Sequence, residues 1–219
     1  MTKQVKSKQR VADHGEVFTS EREVNAMLDL VKQETERIDS RFLEPACGNG
    51  NFLAEILRRK LAVVRQRYGK NASDYEKFAV VAVTSLYGID LLPDNIEECR
   101  ERLFSIFDVE YSAVCKGTAS DECREAVKYI LKHNIICGDA LTLKTLEDSP
   151  ITFSEWSLVS GSLMQRRDFY LDQMLEGHET QISVFLNEWE YDEEIKAYIP
   201  KPIKEYPLTD YKKVQQYDE

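Results

Sequence analysis

Proline never occurs twice in succession in this chain of 219 residues; the six stand at 45, 93, 150, 200, 202 and 207. No apolar run approaches the ~20 residues that cross a bilayer. The amino terminus MTKQVKSKQR is basic with no apolar stretch behind it, so neither a membrane span nor an export signal is expected. Histidine is scarce, at 14, 133 and 178, and scattered. The five cysteines (47, 99, 115, 123, 137) are odd in number and form no C-x-x-C pair. Those patterns argue against a zinc centre or a disulfide framework and point to a reducing, cytoplasmic setting without a bound metal. Positive charge is also short, 29 Lys plus Arg against 39 Asp plus Glu, a net of −10. A chain that coats nucleic acid by overall attraction is excluded; any such contact has to be local or supplied by a partner.

What is present is a repeated order of helix, apolar run and polar loop. Residues 1–14 form a basic tail, with four basic and no acidic groups in the first twelve. From Ser20 to about Arg37, Val24, Met27, Leu28 and Val31 recur at helical spacing behind an N-cap and early acids. "RFLEPA" reads as a buried strand stopped by Pro45. "GNFLAEILRRKLAVVRQRY" then reads as an amphipathic helix whose polar side carries Arg58, Arg59, Lys60, Arg65, Arg67 and Lys70. A solvated face is the plain reading of that stretch, a phosphate-binding patch the other. "YEKFAVVAVTSLYGID" predicts a helix running straight into a strand that ends at Asp90. "PDNIEECRERLFSIF" and "ASDECREAVKYILKH" predict further helices, and "NIICGDAL" a third strand. Three such repeats predict an α/β fold, a mostly parallel sheet flanked by helices, over residues 15–150. Residues 151–219 differ: a hairpin about Ser160-Gly161, expected at the sheet edge, then an acidic, partly irregular extension with eleven acids against five lysines from Glu176 onward.

Open parallel sheets take ligands beyond the carboxyl ends of their strands, so the residues following each strand carry the functional reading. Those are Glu44, Gly48 and Gly50, then Asp90, then Asp139. Glycines let backbone approach a ligand closely, and Glu44 suits an ammonium group. A carboxylate at 90 suits the two hydroxyls of a ribose, and one at 139 the exocyclic amine of adenine. A tight turn explains the glycines without a ligand, and helix capping explains either aspartate alone. A nicotinamide dinucleotide fits poorly: its fingerprint needs a third glycine where Leu53 stands and an acid about 20 residues on. Asp90 lies forty residues past Gly50.

Four stretches, "GEVFTSEREVNAMLDLV", "FLEPACGNGNFL", "YGIDLLPDN" and "NIICGDAL", resemble in order motifs X, I, II and III of the N6-adenine DNA methyltransferases. The group most resembled is the modification subunits of type I and related fused restriction–modification systems, over about Gly15 to Leu146. The resemblance implies a class I, Rossmann-like, S-adenosylmethionine-dependent methyltransferase fold with S-adenosyl-L-methionine as cofactor. Residue by residue, it implies that Phe18 and Thr19 close over the methionine end, with Ser20 where many relatives have proline. Glu44, Ala46, Gly48 and Gly50 form the motif I loop, Asp90 is the ribose acid, and Asp139 with Ala140 the adenine pair.

Adenine methylation in that family needs one more loop, Asn/Asp/Ser-Pro-Pro-Tyr/Phe/Trp. There a side chain and a carbonyl accept the amine hydrogens while the aromatic stacks on the flipped base. No adjacent prolines exist in this chain; Asp148-Ser149-Pro150 is the nearest echo. Trp156 and Trp189 can in principle stack a base, though single tryptophans more often anchor a core. The expectation is a methyltransferase-like subunit, catalytic residues unassigned, that needs a partner chain for the catalytic loop and DNA recognition. The alternative is an inactive S-adenosylmethionine-binding sensor or interaction subunit in a restriction or anti-phage system.

Overall fold

A computed structural model describes residues 5–172, 189–192 and 197–218. Ser7 caps α1 (Lys8–His14), its hydroxyl accepting the Arg10 amide. The basic segment expected to be a free tail is therefore docked from residue 5 onward: Lys6 and Arg10 both pair with Asp94, at 3.1 and 2.6 Å. The single helix expected from Ser20 to Arg37 is two, α2 (Glu21–Asp29) and α3 (Lys32–Thr35). Between them the amides of Leu30 and Val31 bond carbonyls only three residues back, which tightens and ends the first helix.

β1 (Phe42–Glu44) leads through the glycine loop into α4 (Asn51–Tyr68). Asn71 caps α5 (Ala72–Thr84) by accepting the Ser73 and Asp74 amides, and the chain turns through Ser85 into β2 (Leu86–Asp90). α6 (Pro93–Cys115) starts on proline, whose missing N–H costs nothing in a first turn. α7 (Asp121–Asn134), capped by Ser120, delivers β3 (Ile135–Asp139). β1, β2 and β3 are parallel neighbours in that order, and β4 (Lys144–Thr145) adds antiparallel beyond β3. The fold is mixed α/β, as the repeats predict.

Side chains alternate across this sheet as strand geometry requires. Leu86 and Ile135 enter the main core with the apolar faces of α2 and α4–α7, while Tyr87 and Ile89 point to the other side. There they meet β5 (Thr152–Ser160): Phe153 packs edge-on against Tyr87 at 5.2 Å, and the Tyr87 hydroxyl donates to Ser154 O. β5 and β6 (Leu163–Tyr170) form the expected hairpin, with Gly161 left-handed at φ 59°. It does not extend the parallel sheet. β7 (Trp189–Asp192) and β8 (Ala197–Pro200) pair with each other, whereas β9 (Lys204–Glu205) and β10 (Thr209–Asp210) pair with β6. The end of the acidic extension is folded. A 3₁₀ segment, Tyr211–Asp218, seats Tyr211 and Val214 in the main core, and Tyr211 Oη donates to buried Glu76 at 2.6 Å. His178 and most of the extension before β9 lie outside the described residues.

One buried cation fixes the start of the sheet. Lys60, on α4, donates to Ile38 O at 3.2 Å, to Ser85 Oγ at 2.5 Å and to Ser40 O. Burial pulls its pKa down to about 7. No helix among the described residues is long and apolar enough to cross a membrane.

Candidate functional site

The strand register gathers the three acids at one end of the sheet. Glu44 lies beside Gly88 and Asp90 beside Cys137, with Asp139 two residues further along β3. Each ends its strand, so the carboxylates step across the carboxyl edge of three adjacent parallel strands.

The loop between Glu44 and α4 is held by backbone. Cys47 N–H donates to Ile89 O at 2.8 Å, and Gly50 N–H to Cys47 O at 2.8 Å. Both glycines are left-handed, Gly48 at φ 52° and Gly50 at φ 83°. A Cβ on Gly50 would stand 2.6 Å from Cys99 Sγ, and one on Gly48 would stand 3.1 Å from the Phe18 ring. Phe18 therefore lies directly over Gly48. Thr19 follows it, its carbonyl accepting Asn51 Nδ2 at 2.9 Å, and Ser20 forms a capping box with Glu23. The strap is thus pinned to the first turn of α4, which has no side-chain cap of its own. Asn49 Oδ1 is buried in this loop with no hydrogen-bond partner.

Asp90 organises the site from within. Its Oδ2 accepts Gly48 N–H at 2.9 Å, and its Oδ1 accepts Leu92 N–H at 3.0 Å and Asn95 Nδ2 at 3.1 Å. A carboxylate offers about four lone-pair positions, so one is left for a ligand hydroxyl. Asn95 also donates to Glu16, which Arg10 holds at 2.6 Å. Arg10, with Lys6, pulls the Asp94 carboxyl down to about 2, and Arg10 lowers that of Glu16. The docked amino-terminal segment thereby buttresses the Asp90 corner.

Glu44 has no ion-pair partner among the described residues, and burial pushes its pKa up against a smaller lowering from the Ala46 amide. Such a carboxylate gains from a cationic ligand group. Asp139 accepts Leu141 N–H at 2.8 Å and is otherwise open, with Ala140 at the edge of the smaller core behind it. Leu91 and Leu141, following Asp90 and Asp139, are 50% and 95% exposed. Neither was singled out in the sequence; Leu91 directly follows the strand-end acid Asp90, and Leu141 stands two residues after Asp139. Arg102, also missed, donates to Asn51 Oδ1 at 2.5 Å and braces the loop.

All nine residues singled out around the glycine loop and the strand ends lie on this edge. Asp148 does not: it sits in an exposed turn at φ 60°, paired with Lys144 at 2.7 Å. Trp156 is buried with its indole N–H on Asn134 Oδ1, a core anchor rather than a stacking platform. No His, Cys, Asp and Glu cluster suited to a metal occurs among the described residues. No family model, curated protein or solved structure matches the chain.

Proposed function

We propose that this chain is an S-adenosylmethionine-binding, methyltransferase-like protein with a Rossmann-like fold, related to adenine-specific DNA modification. It acts with a partner chain that brings the catalytic loop and the DNA contacts. The observation that carries this reading is the row Glu44, Asp90 and Asp139 around a left-handed glycine loop with Phe18 laid over it. The donor set fits the ligand. Glu44 faces an ammonium, the free lone pair of Asp90 meets a ribose hydroxyl, and Asp139 accepts from an exocyclic amine.

When bound, the cofactor supplies an electrophilic methyl on a sulfonium. This chain's residues orient it and, through Phe18 and the strap, exclude water from the methionine end. Adjacent prolines are absent from the sequence and Asp148 lies in a separate turn, so the acceptor for the hydrogens of a target amine is assigned to the partner. The need for a partner is supported by β1, which pairs only with β2 among the described residues; Leu43 on it is 42% exposed. Parallel strands are usually buried on both sides, and ligands in open sheets sit where strand order reverses. Here the order runs β1, β2, β3 without reversal. A partner strand beside β1 creates the reversal next to Glu44 and brings its own loop to the methyl.

The alternative, cofactor binding without transfer in a restriction or anti-phage system, is favoured by the same missing loop. The test is calorimetry with S-adenosylmethionine, followed by transfer of labelled methyl to duplex DNA by the chain alone. Binding without transfer is expected, and no binding refutes the reading.

A further inference from the structure

At the opposite end of the sheet lies a groove of about 550 Å³ lined by Arg37, Arg41, Arg67, Tyr68, Phe78 and Ser157 among others. We infer that this groove is a second binding site, for the phosphate of a nucleotide whose ring lies against the aromatic wall. The basic stretch of α4 resolves into residues with different roles. Arg58 and Arg59 pair with Glu55, and Arg65 with Glu110, while Lys60 is buried. Arg67 has no carboxylate partner among the described residues and faces the groove.

The other two guanidiniums have carboxylate partners and also line the groove. Arg37 reaches exposed Glu34 at 3.4 Å and exposed Asp39 at 4.0 Å. Arg41 shares Glu155 with Arg167. Among the described residues Asp39 is the one acid lining the groove, against three arginines. Guanidinium forks match phosphate oxygens, and arginine is less costly to desolvate than lysine. Tyr68 and Phe78, stacked on each other at 4.0 Å and 13°, add two aromatic rings to the lining, a residue type against which bases pack. The volume falls in the ~300–1,000 Å³ range of small-molecule sites. In a chain of net charge −10, three guanidiniums around one groove give an anion a local point of contact.

The nucleotide is either free or part of a single strand, and the test separates the two. Titration calorimetry at low salt uses thymidine monophosphate and a short oligo(dT), which lack adenine and so do not report on the strand-end site. Arg67→Glu is the probe variant. Arg58→Glu, on the opposite side of α4, is the control. The wild-type chain is expected to bind one or both probes and Arg67→Glu to weaken binding at least ~10-fold, with Arg58→Glu unchanged. Tighter binding of oligo(dT) identifies a strand as the source; equal binding identifies the free nucleotide. The inference is overturned if neither probe binds at millimolar concentration, or if both variants weaken binding alike.

Discussion

Replacing Gly50 by alanine tests whether the candidate loop has the conformation described. At φ 83° a non-glycine residue carries roughly 1–2 kcal/mol of backbone strain. The new methyl would also stand 2.6 Å from the sulfur of Cys99, which is buried in the main core and cannot simply swing into solvent. Overpacking of that kind costs about 1–3 kcal/mol. Gly50→Ala is therefore expected to lose roughly 2–5 kcal/mol, a fall of about 5–15 °C in Tm for a chain of this size. Urea unfolding followed by circular dichroism measures it, and Cys99→Ala separates the two contributions. In that background the sulfur is gone and only the strain of ~1–2 kcal/mol remains. A loss below ~0.5 kcal/mol refutes the left-handed conformation. An equal loss in both backgrounds refutes the close approach to Cys99.

Lys60 is expected to give stability that rises with pH. Its folded pKa, about 7, lies below the ordinary 10.5, so the unfolded chain holds the extra proton between those values. The slope approaches ~1.4 kcal/mol per pH unit across that window and disappears in Lys60→Met, as unfolding at several pH values will show. Glu76→Leu leaves the buried hydroxyls of Tyr111 and Tyr211 without their acceptor. It is expected to cost about 2–5 kcal/mol and to open residues 204–218 to limited proteolysis. Affinity for S-adenosylmethionine is expected to weaken on acidification, beginning above the pH at which an ordinary glutamate titrates, because burial raises Glu44. Calorimetry across pH checks this, and Glu44→Gln should flatten the profile.

The three strands and the order of acids behind them were legible because periodicity and punctuation are local. Pro93 marks its helix start in the sequence as plainly as in the fold, whereas α5 begins at Ala72, three residues before the stretch from Tyr75 that reads as helical. The glycine loop was legible for the same reason. What was not legible depends on partners far away in the chain. The amino-terminal segment reads as a solvated tail until Asp94 and Glu98 are seen to face Lys6 and Arg10. The hairpin reads as a sheet edge until Phe153 is found packed edge-on against Tyr87 on the face of β2. Asp90 reads as a free acceptor, yet it already accepts Gly48, Leu92 and Asn95. Alternation gives no hint of this, since it requires the amide of one loop and the side chain of another helix.

The most direct measurement is calorimetric titration of S-adenosylmethionine into the purified chain and into Asp139→Ala. Asp139 is chosen because the one hydrogen bond its carboxylate accepts among the described residues, from the Leu141 amide, is local, so its loss leaves the glycine loop intact. The account predicts one-to-one, micromolar-range binding by the parent chain, about −8 kcal/mol, weakened at least ~10-fold in the variant. No binding by the parent chain, or equal affinity in the two proteins, would contradict it.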